Sequence, residues 1–295
     1  MLEPLLIFVT VVEQKNFSRA AKLLHISQPS VSLHIQNLEK EFGNKLFHRS
    51  PQYVQVTAAG ELLYQSAKKM ITYYQLVQEQ IDQLKNRVTG KMNVGASYTI
   101  GEYILPYLLE KYIKQYPLVD LEVTIKNTTQ IMNELTGGQL DLALVEGKVQ
   151  DTGCLISTFM IDELILLVSP SHPLASHPAI QPTMLHDHVW ILREQGSGTR
   201  HYEDHLINHF KLRVKKSFIF SSNQGVKEAI IAGLGIAILS RLTVRREVEN
   251  GVLREIPIHN FSLKRPLSIV QMKKNAINSK AVEILTQQLQ DIATR

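Results

Sequence analysis

The chain has 295 residues with 32 Lys or Arg against 27 Asp or Glu, a formal net charge of +5 that permits a nucleic-acid partner without requiring one. That length exceeds what one hydrophobic core usually holds, so at least two domains are expected. No apolar run approaches the roughly 18 residues of a membrane span, and the opening MLEPLLIFV carries Glu3 where a basic leader would stand, so a cytoplasmic protein without a membrane partner is expected.

Residues 18–43, SRAAKLLHISQPSVSLHIQNLEKEFG, read as two short helices joined at a sharp corner. Ser18 is the expected cap of the first helix, with Phe17 packing onto its first turns and Ala20, Ala21 and Leu24 forming its apolar face. His25 and Ile26 make the corner. Ser27 caps the second helix, Pro29 sits where a missing N–H costs nothing, and Gly43 ends it. Val31, Ile35, Leu38 and Phe42 recur at helical spacing and form the expected buried stripe. The other face then shows Gln28, Ser30, Ser32, His34 and Asn37. Short polar groups in the first turns are what major-groove reading requires, with Gln28 suited to adenine and Ser32 to either strand's edge.

After Leu46 and Phe47, the run RSPQYVQVT reads as a turn at Ser50 and Pro51 followed by a strand over Tyr53, Val54, Gln55 and Val56, a wing beside the phosphates. The stretch from Phe8 to Gly60, with FSRAAKLLHISQPSVS, LEKEFG, LFHR and VTAAG, resembles the winged helix-turn-helix of LysR-type transcriptional regulators. The resemblance implies that the second helix enters the major groove, with Ser27, Gln28, Pro29, Ser30, Ser32, Leu33 and His34 at the DNA and Arg49 on backbone phosphate. Two departures stand out. Leu33 occupies a position where many relatives carry arginine or lysine, and Gln52 replaces a wing arginine. Leu33 either meets a thymine methyl or faces inward. Residues 1–90 hold ten Lys or Arg against seven Asp or Glu, so one copy should bind weakly and oligomerisation should supply affinity.

Thr57 is the expected cap of a helix over about 58–87. Leu63, Ala67, Met70, Tyr74, Val77, Ile81, Leu84 and Val88 step alternately by four and three, a heptad seam that calls for a partner helix. In the family this segment is the dimerisation linker, and the resemblance implies an antiparallel pair. A dimer, and a tetramer built as a pair of dimers, are the expected assemblies. A long helix folded against its own domain is the alternative.

Beyond Gly90 the texture becomes alternating strands and helices: KMNVGAS, TIGEYILPYLLEKYIKQYP, LEVTIKN, LDLALVEG, then from Glu163 ELILLVSP, HVWILRE, KSFIFSS and GLGIAILS, closing with PLSIVQM and a helix from Ser279. Such alternation predicts parallel strands with crossover helices. The fold class expected is α+β and multi-domain: a winged helix-turn-helix over 1–57, a linker helix over 58–88, and a two-lobed α/β effector domain over 91–295 like a periplasmic binding protein. Lobe I would take 91–162 and 266–295 and lobe II 163–265, with crossovers near Asp162 and Arg265.

Ligands of such folds lie at strand carboxyl ends beside helix N-termini. Ser97, Tyr98 and Thr99 form one such segment, and Asn127, Thr128 and Thr129 another. Residues 193–200 form the third, where Arg193, Ser197, Gly198, Thr199 and Arg200 have the composition of an anion cradle freed by Gly196 and Gly198. Ordinary helix capping is the competing explanation of the hydroxyls. GASYTIGEYILP, GSGTR, SSNQGVKEAI and AGLGIAILS resemble the LysR subgroup that includes regulators of sulfur assimilation and carbon fixation, which implies a small anionic metabolite as effector. His201, His205 and His209 share a helix face, but no clear fourth ligand accompanies them and a solvated face is the reading. No cofactor is expected. The lone Cys154 reads as a buried thiol, and no catalytic motif appears, so an enzyme is not expected. The alternative is a metabolite-binding protein or enzyme of the two-lobed class whose N-terminal helices serve only oligomerisation.

Overall fold

A computed structural model describes residues 2–49, 54–83, 88–149, 151–273 and 279–293. Ser50, Pro51, Gln52, Tyr53, Leu84 and Arg87 lie outside that set, as does the Arg49 side chain. The chain forms two units, residues 1–85 and 86–295.

In the first unit, α1 (Glu3–Gln14), α2 (Phe17–Leu23) and α3 (Gln28–Glu41) surround Phe8, Val11, Ala20, Val31 and Ile35, all withdrawn from water. The cap of α2 is Asn16, whose side chain accepts from the Arg19 N–H at 2.9 Å, not Ser18. An amide oxygen two residues earlier serves an orphan donor nearer the N-terminus, so the helix starts sooner. His25 takes a left-handed φ of 54° at the corner. Ser27 caps α3, accepting from Ser30 N–H at 3.2 Å, and Gly43 stops it at φ +63°. Phe42 is 47 % exposed rather than part of the buried stripe. The inward place near the helix end goes instead to Glu39, whose carboxylate accepts from Leu46 N–H at 3.1 Å and Lys45 Nζ at 2.9 Å.

The antiparallel pair β1 (Phe47–Arg49) and β2 (Val54–Val56) makes the wing, with Phe47 opposite Val56. Thr57 caps α4 (Ala58–Gln83) by accepting from Gly60 N–H at 3.0 Å. The heptad seam divides along this helix. Leu63 and Ala67 are buried in the first unit's own core, while Met70, Tyr74 and Ile81 are about half exposed. Folding back on its own domain thus accounts for the seam's beginning only.

In the second unit, β3 (Gly90–Ser97), β4 (Val119–Lys126) and β5 (Leu142–Glu146) are parallel. They are linked by α5 (Tyr98–Tyr103), α6 (Leu105–Gln115) and α7 (Thr128–Thr136). The all-parallel expectation fails at β6 (Cys154–Val168) and at β11 (Leu263–Met272), which run antiparallel to each other, with β11 antiparallel to β5. Both strands extend through the unit: Phe159 and Leu267 lie in the first lobe's core with Val94, while Leu164 and Leu263 lie in the second's with Trp190. A strand that must leave one lobe and another that must return are naturally antiparallel neighbours.

The second lobe holds β7 (Val189–Arg193) parallel to β8 (Lys216–Phe220), and β9 (Ala237–Ser240) and β10 (Arg254–Glu255) antiparallel to β6. Its helices are α8 (Gly198–His209), α9 (Asn223–Ile231) and α10 (Arg241–Glu249). The final helix, α11 (Lys280–Ala293), returns to the first lobe, where Val282, Leu285 and Leu289 enter its core.

Candidate functional site

Two sites arise, one in each unit. On α3, Val31, Ile35 and Leu38 face the core, which turns the intervening residues outward. Gln28, Pro29 and Leu33 are exposed, Ser30, Ser32 and His34 half-buried. Leu33 is 57 % exposed, so of its two expected places it takes the outward one. Gln28 Nε2 donates to Ser32 Oγ at 2.9 Å, which orients the amide that would reach a base edge. Arg49 ends β1 opposite Val54.

The second unit brings three helix starts together, two from the first lobe and one from the second. Ser97 precedes α5, but its hydroxyl makes no capping bond and lies beside the Glu146 carboxylate. The donor freed at that helix start, Thr99 N–H, is bonded by Glu146 Oε1 at 2.7 Å. Asn127 caps α7 in a reciprocal box with Gln130, Thr128 Oγ1 donates to the Glu146 carbonyl at 3.3 Å, and Thr129 N–H donates across the lobes to the Gly196 carbonyl at 3.1 Å. Ser197 caps α8 through Thr199 N–H at 3.2 Å. At Gly198 a Cβ would stand 2.6 Å from the Glu146 carbonyl oxygen, so the two lobes' backbones meet where only glycine fits.

Arg265 ties this junction together. Its Nε lies 2.7 Å from Asp162 Oδ2, and its Nη1 lies 2.5 Å from Glu146 Oε2 and 2.9 Å from Thr199 Oγ1. Its Nη2 donates to Thr99 Oγ1 at 3.1 Å. Ser240 Oγ donates to Asp162 Oδ1 at 2.7 Å. Burial alone would raise the Glu146 pKa, but the Arg265 charge and the Thr99 N–H hold it below the usual carboxylate range. Arg265 is held above its ordinary value by its two carboxylates despite burial. A hydroxyl that accepts from a guanidinium keeps its own proton to donate; Thr99 directs its proton to the Glu146 carboxylate, and Thr199 retains its donor.

Both arginines of the 193–200 segment already have carboxylate partners. Arg193, buried on β7, is paired with Glu194 at 2.9 Å, bonded to Asn223 Oδ1 and stacked 4.9 Å from the Tyr98 ring centre. Arg200 pairs with Asp204 at 2.8 Å and donates to the Arg193 carbonyl at 2.9 Å. Asn223 Nδ2 is buried without a partner among the described residues. Lys227 on α9 reaches Tyr103 Oη of the first lobe at 3.2 Å and Glu247 at 2.5 Å. Its pKa stands above the ordinary lysine value: burial opposes the charge, but these two partners outweigh it.

The residues of this junction that sequence reading missed are Glu146, Asn223 and Lys227, with Asp162 and Arg265 noticed only as crossovers and Glu203 only as a neighbour of the α8 histidines. Part of their signal was available: Asp162 and Arg265 stand within strand runs, each beside another charge, Glu163 and Lys264, and Glu146 ends an apolar run. Glu203 turns fully inward, its pKa pushed up to about 8 by burial, with Oε2 accepting the Arg193 N–H at 3.0 Å. It therefore cannot join the exposed histidines of α8, and no cluster of three metal-binding side chains occurs among the described residues. Cys154 is buried with Sγ 3.6 Å from Met272 Sδ, and burial raises its pKa.

Residues 85–293 match the LysR substrate binding domain family, and residues 2–61 match the bacterial regulatory helix-turn-helix proteins of the lysR family. The transcriptional regulator CysL of Bacillus subtilis is 45 % identical over 263 residues, 89 % of this chain and 88 % of that protein. A probable RuBisCO transcriptional regulator of Synechocystis is 34 % identical over 287 residues, 95 % of this chain and 83 % of its own length. Among solved structures, a full-length OxyR variant from Pseudomonas aeruginosa superposes with a TM-score of 0.74 at 25 % identity, covering 98 % of this chain and 94 % of that one. The Synechocystis CcmR regulatory domain in complex with 2-PG gives a TM-score of 0.65 at 26 % identity, over 70 % of this chain and 99 % of that one.

Proposed function

This chain belongs to the LysR-type transcriptional regulators, and from that premise we propose that α3 reads promoter DNA while a small anionic metabolite, bound between the two lobes, changes how the protein holds that DNA. Its relatives are regulators, not enzymes. The observation that carries the effector site is Arg265 bonding one hydroxyl from each lobe, Thr99 and Thr199. With Arg193 and Arg200 each paired to its own carboxylate, the anion is held by neutral donors whose protons are not already committed, the hydroxyls of Ser197 and Thr199. The CcmR domain that takes 2-PG supports a small oxyanion or carboxylate as the class.

The division of lobes follows the strands, with 91–162 and 266–295 on one side of the ligand and 163–265 on the other. The exposed half of the α4 seam pairs with a second copy, and two such dimers form the working tetramer. Among the described residues no helix is long and apolar enough to cross a membrane, and the protein works in the cytoplasm beside its DNA. A ligand switches such a protein only by binding one arrangement better than another.

Thermal unfolding with a panel of anionic metabolites tests the reading, because a ligand specific to the folded state raises the melting temperature. The effector should do so for the wild type and lose most of the effect in Thr199→Val. A panel without any stabilising anion, or a full shift retained in Thr199→Val, would sink the assignment.

A further inference from the structure

The outward face of α3 carries an apolar centre where a DNA-reading helix usually carries charge. Val31, Ile35 and Leu38 define the buried side, and at 100° per residue Leu33 stands nearly opposite their mean direction. Pro29, four residues earlier on the same side, is also exposed. Beyond them the exposed face continues through Gln36, Asn37 and Lys40. The helix has one lysine, Lys40, and no arginine. Pro29 and Leu33 thus place apolar groups beside Gln28 and Ser32 in the N-terminal half, with amides in the middle and the cation in the last turn, beyond the half that reads bases.

An exposed leucine there gains only if its partner offers apolar surface. The apolar group that base edges present in the major groove is the thymine C5-methyl. We infer that Leu33, flanked by Pro29, is a specificity-determining residue that selects a thymine by covering its methyl, next to an adenine read by Gln28. The Gln28–Ser32 hydrogen bond fixes the amide beside the apolar pair, so each half-site contains A·T pairs at the centre of the contact. This inference rests on α3 being the recognition helix.

The test uses the full-length protein and a duplex it selects from a random pool, remade with uracil in place of single thymines. Uracil lacks only the methyl. At one position per half-site the substitution should weaken wild-type binding about threefold to fivefold, and about tenfold or more when both half-sites carry it. Uracil elsewhere should change nothing. Leu33→Ala, an exposed substitution that leaves the core untouched, should bind the thymine and uracil duplexes equally.

Wild-type protein indifferent to uracil at every position, selected sites without thymine, or Leu33→Ala keeping the thymine preference would overturn the inference. So would a change of oligomeric state in Leu33→Ala, which would make Leu33 a protein contact. Failure of the recognition-helix reading itself looks different: Gln28→Ala with Ser32→Ala would then keep the wild-type preference for the selected site.

Discussion

Arg265 and Asp162 are register partners at the point where β11 and β6 pass from one lobe to the other, with the guanidinium Nε 2.7 Å from Oδ2 and both side chains withdrawn from solvent. Glu146 shares the same guanidinium, so one cation serves two buried carboxylates. The excess negative charge is met by neutral donors, Thr99 N–H on Glu146 and the Ser240 hydroxyl on Asp162. The junction between lobes is therefore held by polar bonds of fixed geometry inside an apolar sheet.

Removing the cation should be among the most damaging single changes. Arg265→Met leaves two carboxylates buried without a cation, at a cost of about 3–5 kcal/mol. Lysine at this position keeps the charge but cannot reach four acceptors at once, and should recover part of the loss. Urea unfolding followed by the fluorescence of Trp190, the chain's one tryptophan and fully buried in lobe II, measures both. A wild-type midpoint for Arg265→Met would show that the network contributes little.

Glu203 should give the second unit a falling stability with pH. Burial lifts its pKa from the ordinary 4.5 to about 8. Between those values the unfolded chain has released a proton that the folded chain retains, so stability present below pH 4.5 is progressively lost up to about pH 8 and then levels off. The span is worth on the order of a few kcal/mol. Glu203→Gln removes the titration, and its melting temperature should change less than wild type's between pH 5 and pH 8. Parallel curves for the two proteins would refute the shift.

Alanine at Gln28 and Ser32 should abolish site preference while leaving assembly intact. Both side chains lie on the outward face and bond each other, so nothing in the core is disturbed. A bidentate amide contact discriminates by about 1–3 kcal/mol, a loss of roughly fivefold or more per half-site. Fluorescence anisotropy with specific and scrambled duplexes reads it, and sedimentation velocity checks the oligomer.

The divided seam of α4 predicts two kinds of variant. Tyr74→Glu with Ile81→Glu places charge on the exposed half and should yield folded monomers with much weakened DNA binding. Ala67→Leu instead overpacks the first unit's own core, where Ala67 is fully buried, and should lower its melting temperature at a typical cost of about 1–3 kcal/mol. A charged variant that still sediments as wild type would remove α4 from the interface.

The N-terminal unit was largely legible because its signals are local. Ser27, Pro29 and Gly43 punctuate α3 through backbone rules that operate within one turn, and Val31, Ile35 and Leu38 repeat at the helical period. Asn16 takes the cap from Ser18, two residues on, because either side chain offers an oxygen to the free N–H groups of a helix start. Strand direction was less legible. Apolar runs such as ELILLVSP state burial but not orientation, and β6 and β11 proved antiparallel.

Between the lobes, residue types pointed to segments that the structure brings together but not to their partners. Arg193 and Arg200 looked like free positive charge, yet Glu194 and Asp204 hold them through adjacent and one-turn spacing that a sequence shows only as proximity. Glu146, Asp162 and Arg265 are separated by up to 119 positions along the chain.

By itself the sequence determined the helix-turn-helix, the long helix that follows it and the alternation of strands and helices, because capping, periodicity and turn chemistry act over a few residues. The tertiary structure alone decided which charges are already paired, which face of Leu33 is open and where the α4 seam leaves its own core. The Arg265 network and the burial of the seam's start depend on desolvation and contact between segments far apart in the chain, which no local pattern encodes; the pairs of Arg193 and Arg200 are close in sequence, but their spacing does not say that the bonds form.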